Sequence, residues 1–142
     1  MFSFFRKNAT PFPISQIGDD WTSSDVPYEG VDGTLHVRNL PLSLETNSYP
    51  FVALAISEAE LVPAKFEDCT SAMKRQLESN GMCLLVAKHY IGAKAIWYAY
   101  ASSNSLLDSA FAELRHTQPV RWGINRDDGW AEYKYMLSAA RA

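Results

Sequence analysis

From residue 50 onward the apolar positions alternate between two spacings, and each switch marks a new element. PFVALAIS (50–57) is a short apolar run bounded by Pro50 and Ser57, the pattern of a buried strand. PAKFEDCTSAMKRQLESNG (63–81) then sets Phe66, Cys69, Met73 and Leu77 three and four residues apart, as one face of a helix requires. Pro63 suits its first turn and Gly81 its exit. MCLLVAKHY (82–90) and AKAIWYAYA (93–101) return to strand-like runs, with Gly92 between them as a hairpin turn. NSLLDSAFAELRH (104–116) is a second amphipathic helix through Leu107, Ala110, Phe111 and Leu114, with Ser103, Asn104 or Ser105 as its N-cap. PVRWGIN (119–125) ends the series with Val120, Trp122 and Ile124 on one face.

The order β-α-β-β-α-β predicts an α+β fold of the split βαβ, ferredoxin-like kind. Right-handed crossovers would place both helices on one face of a four-stranded antiparallel sheet. Phe51, Leu54, Ile56, Leu84, Val86, Ile96, Tyr98 and Ile124 are then expected to be buried. Helical Phe66, Met73, Leu77, Phe111 and Leu114 are expected to pack onto them. Before this core, DWTSSDVPYEG (20–30) and GTLHVRNL (33–40) read as two short strands. Gly30 and Asp32-Gly33 between them signal a hairpin, because those residues tolerate positive φ. PLSLETNSYP (41–50) is a polar connector. Residues 1–18 show no periodicity and read as a loosely held N-terminal arm, which leaves 19–142 as a single domain.

Composition narrows the function classes. The chain has 142 residues, 47% hydrophobic and 20% charged, in the ordinary range for a globular domain. Its net charge of −3 argues against a dedicated nucleic-acid binder, which would carry a basic surface. No apolar run reaches the roughly 20 residues of a membrane span. MFSFFRKNAT places its basic pair after its aromatic residues, the reverse of a secretory signal, so Phe2 to Phe5 are not expected to anchor the chain in a membrane. Cys69 and Cys83 lack metal or redox spacing, which points to buried thiols in a reduced, cytoplasmic setting.

The stretch RDDGWAEYKYML (126–137) looks most like a site. Adjacent carboxylates usually point apart, however, and an aspartate just before a helix serves its free N–H groups. Asp127 or Asp128 is therefore read as a cap. Trp130, Tyr133 and Leu137 are read as the buried face of a terminal helix. His36, His89 and His116 share no ligand spacing, so no metal is expected, and no nucleophile or phosphate-loop motif is present. Trp97, Tyr98, Tyr100 and Trp122 lie in strands, as do the base-stacking rings of an RNA-recognition motif. AKAIWYAYA lacks that motif's glycine and most of its charge, which makes an RNA-binding sheet the minor alternative.

Trp21, YEG (28–30), LHVRN (35–39), SYPF (48–51) and DGWAEY (128–133) together resemble the DUF695 family, small bacterial proteins without an assigned activity. The likeness is spread from about residue 21 to 137. The longer N-terminal arm and the TSSDVP segment (22–27) depart from the family pattern. The resemblance implies a ferredoxin-like α+β fold and supplies no catalytic residue. The family is similar in turn to the regulator-of-ribonuclease-E type B proteins, acidic modules that inhibit an enzyme by binding it, a fold-level analogy. Two function classes follow. The first is a non-enzymatic, protein-binding or regulatory module of the bacterial cytoplasm, without cofactor and compatible with a homodimer. The second is a small-molecule-binding or hydrolytic protein whose site draws on Tyr28, Arg38 and Asp128, with His36 in support. Trp21, Tyr28, Arg38, Asp128 and Trp130 are the candidate binding residues. A deep pocket where Arg38 meets a carboxylate would favour the second class, and a filled interior the first.

Overall fold

The computed structural model describes residues 14–142. The expectation about Phe2 to Phe5 lies outside the described residues. Six antiparallel strands form one sheet: β1 (Trp21–Asp25), β2 (Gly33–Arg38), β3 (Phe51–Ser57), β4 (Cys83–Ile91), β5 (Lys94–Ala101) and β6 (Val120–Arg126). Their spatial order is β1-β2-β4-β5-β3-β6. Three helices complete an α+β architecture: α1 (Pro63–Glu78), α2 (Asn104–Leu114) and α3 (Ala131–Arg141). No described helix is long and apolar enough to cross a membrane.

Local chemistry sets the boundaries. Pro63 opens α1 where its missing N–H costs nothing. The Ser103 hydroxyl accepts from the Leu106 N–H at 3.3 Å and caps α2. Gly92, with φ +60°, turns β4 into β5 in two residues. At the tip of the β1–β2 hairpin, Tyr28 and Val31 exchange backbone hydrogen bonds of 2.9 and 3.0 Å around Glu29 and Gly30, both at positive φ. That is a type I′ turn, in which glycine carries no Cβ penalty.

The two faces of the sheet bury different things. α1 and α2 share one face, with Phe66, Cys69, Met73, Leu77, Leu107, Phe111 and Leu114 over Ala53, Ala55, Leu85, Trp97 and Ala99. On the other face, Leu35, Val37, Leu84, Val86, Ile96, Tyr98 and Tyr100 join Trp130, Tyr133, Met136 and Ala140. The burial expected from sequence therefore needs correction. Leu84, Val86, Ile96 and Tyr98 are buried, but they face α3 rather than α1 and α2. Phe51 and Ile124 face the two helices and are only half-buried, as are Leu54 and Ile56 on the α3 side. Because β3 and β5 are apolar on both faces, alternation could not say which residue looks which way. A second correction concerns the arm: Ile14 and Ile17 are buried within the α3-side cluster, so residues 14–18 belong to the packed body.

Candidate functional site

Arg38 lies at the end of β2 with its side chain fully buried, beside the point where the β4–β5 register shifts between Leu85 and Ala87. Its guanidinium has five N–H donors. Nη1 donates to Glu78 Oε2 at 2.6 Å and to the Leu85 carbonyl at 3.0 Å. Nη2 donates to Glu78 Oε1 at 3.3 Å and to the Ile17 carbonyl at 3.5 Å, and Nε to the Gly18 carbonyl at 3.0 Å. The Glu78 carboxylate also accepts from the Leu85 N–H at 3.1 Å. Arg38 does meet a carboxylate, but its side chain is fully buried and every donor is already used. The pair closes the sheet at its bulge and ties residues 17 and 18 to the body.

The C-terminal stretch is equally committed. Asp127, not Asp128, caps α3: its carboxylate accepts from the Ala131 and Glu132 N–H groups at 2.9 and 3.0 Å, and from the Tyr100 hydroxyl at 2.6 Å. Burial pushes the Asp127 carboxyl up, but those hydrogen bonds outweigh it and hold it below the usual value of 3.8. Burial first, and the Asp127 carboxylate second, push the Tyr100 phenol up. Trp130 precedes the helix in the left-handed region, with φ 56° and ψ 40°. Its ring is 1% exposed, stacks on Tyr100 at 3.9 Å between centroids, and donates to the Tyr49 carbonyl at 2.8 Å. The Tyr133 hydroxyl donates to the Arg38 carbonyl at 2.7 Å. Leu137, expected on the buried face, is only half-buried, while Met136 and Ala140 are buried. Asp128 is exposed and, among the described residues, bonds only Arg126, at 2.8 Å.

The five candidate positions therefore do not converge. Trp21 is half-buried, 4.9 Å from the Lys88 ammonium and 5.7 Å from the Arg38 guanidinium carbon. Tyr28 stands at the hairpin tip, Asp128 is exposed beside Arg126, and Arg38 and Trp130 are inside. His36 meets Ser23 across β1 and β2, Nδ1 to Oγ at 2.5 Å, and burial with the nearby Lys88 charge lowers its pKa. That contact sits on the α1 side of the sheet, away from Tyr28 and Asp128. Three of the four strand aromatics considered for base stacking are packed away, Trp97 under α1, Tyr100 under Trp130, and Trp122 against Phe111 of α2, while Tyr98, 7% exposed, borders the groove on the α3 side. Desolvation pushes both thiols up, Cys69 and Cys83 alike to about 11, which removes them as nucleophiles.

A strip of sheet on the α3 side is open. Between the hairpin tip and α3 runs a groove of about 300 Å³ lined by Tyr28, Leu54, His89, Tyr98, Glu132 and Tyr135. Tyr28 also borders a second hollow of about 510 Å³, which continues over Ile56 and Ile96 to Lys94 and Arg121. Tyr28 is 41% exposed and Tyr135 74% exposed. His89 Nε2 donates to the Val26 carbonyl at 2.7 Å, and its ring meets Tyr28 edge-on at 6.0 Å. Tyr28 is the one sequence candidate that borders this strip. Tyr98 is singled out in the sequence only as a strand aromatic and His89 only as a histidine without ligand spacing. Tyr135 is not singled out at all, although it is an aromatic on the polar side of its helix, two residues from the docked Tyr133. A single exposed ring is ordinary; Tyr135 gains meaning because it borders the same groove as Tyr28. Comparison with known proteins gives no match to a family model, to a curated protein or to a solved structure.

Proposed function

We propose that this chain is a non-enzymatic, protein-binding module that receives an apolar, aromatic-bearing segment of a partner protein in the groove between the Tyr28 turn and α3. The observation that carries the reading is the open strip itself: two exposed tyrosines flank half-buried Leu54 and Ile56 on a sheet face that α3 leaves partly uncovered. Tyrosine supplies contact area at low entropic cost and keeps a polar tip for the rim, which is why it concentrates at interfaces. Two of the charged groups that could instead perform chemistry are committed within the fold, Arg38 to Glu78 and Asp127 to its cap.

The core carries a ferredoxin-like, split βαβ reading. In its support, the strands β4-β5-β3-β6 stand in the order that arrangement requires, with α1 and α2 on one face. The β1–β2 hairpin and α3 are its additions. A place near the DUF695 family, and a bacterial cytoplasmic setting for a regulator, rest on the short motifs described above. Those motifs have a shared structural reason: SYPF supplies the Tyr49 carbonyl for Trp130, and LHVRN supplies Arg38 for Tyr133. The test is site-specific photo-cross-linking in cells. A photoreactive phenylalanine at Tyr135 should give a discrete adduct with another protein, and the same group at Glu113, exposed on α2, should not. Equal adducts from both positions would overturn the reading.

A further inference from the structure

The two edges of the sheet are not equivalent. Among the described residues β6 pairs only with β3, and the direct bonds Asp127 N–H to Pro50 carbonyl and Glu58 N–H to Pro119 carbonyl, both 2.7 Å, fix which of its residues bond inward. Residues 119, 121, 123, 125 and 127 turn their backbone groups to β3. Trp122 and Ile124 therefore turn their N–H and C=O groups outward, onto an edge that no other strand among the described residues covers. β1 is guarded in the ways natural edges are: it is five residues long, Asp19 and Asp20 precede it, and Asp25 and Pro27 close it. β6 has seven residues, no proline, and Gly123 at its centre.

We infer that two copies of this chain pair antiparallel along β6, joining their sheets into one continuous sheet. The strand is self-complementary in the register that sets Trp122 against Ile124 of the second copy. Both residues then use their outward N–H and C=O groups. Arg121 falls opposite Asn125, Arg126 opposite Val120, and Gly123 opposite its own counterpart, so no like charges are opposed. On the helix side, half-buried Trp122 and Ile124 gain each other as cover. There α2 presents small Ser105 and Ala112 around Asp108, which bonds the Trp122 indole at 3.0 Å. On the other side no Cβ at Gly123 separates the two backbones. The hollow that ends at Arg121 runs on to Asn125 of the second copy. The inference stands independently of what the groove binds.

The geometry offers a direct test. A Cβ at Gly123 meets nothing within 4 Å in the single chain, so Gly123→Asp and Gly123→Lys should fold. In the pair, each would set two like charges face to face across the axis. Light scattering coupled to gel filtration at high micromolar concentration should give twice the 15.9 kDa chain mass for the wild type. Each variant alone should give the single-chain mass, with a melting curve matching that of the wild type at dilutions where the wild type is itself monomeric. A mixture of the two variants should return to the doubled mass. A monomeric wild type would overturn the inference, and so would a dimer indifferent to Gly123→Asp or a mixture that stays monomeric.

Discussion

Removing Glu78 tests whether Arg38 is a fastening or a site. Glu78→Ala takes away both carboxylate oxygens that Arg38 holds at 2.6 and 3.3 Å, and the acceptor of the Leu85 N–H. The guanidinium stays behind with three backbone carbonyls, those of Ile17, Gly18 and Leu85, as its hydrogen-bond acceptors among the described residues. Breaking a buried pair from one side costs about 3–5 kcal/mol, because the remaining charge is left uncompensated. For a chain of this size that is a fall in melting temperature of roughly 10–20 °C. The double variant Arg38→Met/Glu78→Leu removes the charge as well as its partner, and its deficit should fall well short of the sum of the single losses. It keeps a cost of about 1–3 kcal/mol, since the Leu85 N–H is still orphaned. Urea melts of both single variants and the double form the cycle that isolates the pair. A Glu78→Ala protein within about 0.5 kcal/mol of wild type, the range of ordinary surface changes, would refute the reasoning and reopen Arg38 as a ligand group.

Three further outcomes follow from the same geometry. Trp130→Ala should cost about 3–5 kcal/mol, as a fully buried ring is lost, and Asp127→Ala about 1 kcal/mol as a lost cap. Asp128→Ala should leave the melting curve unchanged, and the reverse order of 127 and 128 would contradict the cap assignment. The Asp127 carboxyl is held below its unfolded value, so its contribution is present at neutral pH and lost as the pH falls through the folded value, below about 4. The stability difference between wild type and Asp127→Ala should accordingly vanish in strong acid, and a constant difference there would count against it. Cys69 and Cys83, with pKa values of about 11, should resist alkylation at pH 8 until the protein unfolds, and rapid labelling of the native chain would show the thiols are open.

Much of the fold was legible because its elements have clean periods. The strand and helix runs from residue 50 to 126 fell where alternation and the three-four spacing put them, with Pro63, Ser103 and Gly92 at their ends. Face assignment was not legible, since Leu54 and Ala55 are both apolar and look opposite ways. Nor was the role of Arg38, because its partner Glu78 is forty residues away on the polar side of α1. The choice between Asp127 and Asp128 depended on the turn that brings Trp130 into the left-handed region, which a bulky residue gives no reason to expect. The groove was hidden for the same reason. It exists only where the Tyr28 turn and α3, about a hundred residues apart, approach one stretch of sheet.

The claim that function lies in this groove while the charged constellations hold the fold is tested most directly by one comparison. Wild type, Tyr28→Ala/Tyr135→Ala and Asp128→Ala would be used side by side as baits in quantitative affinity capture, with melting temperature recorded for each. The double tyrosine variant should keep its melting temperature and lose the captured protein, while Asp128→Ala keeps both. Undiminished capture by a folded Tyr28→Ala/Tyr135→Ala protein would contradict the account.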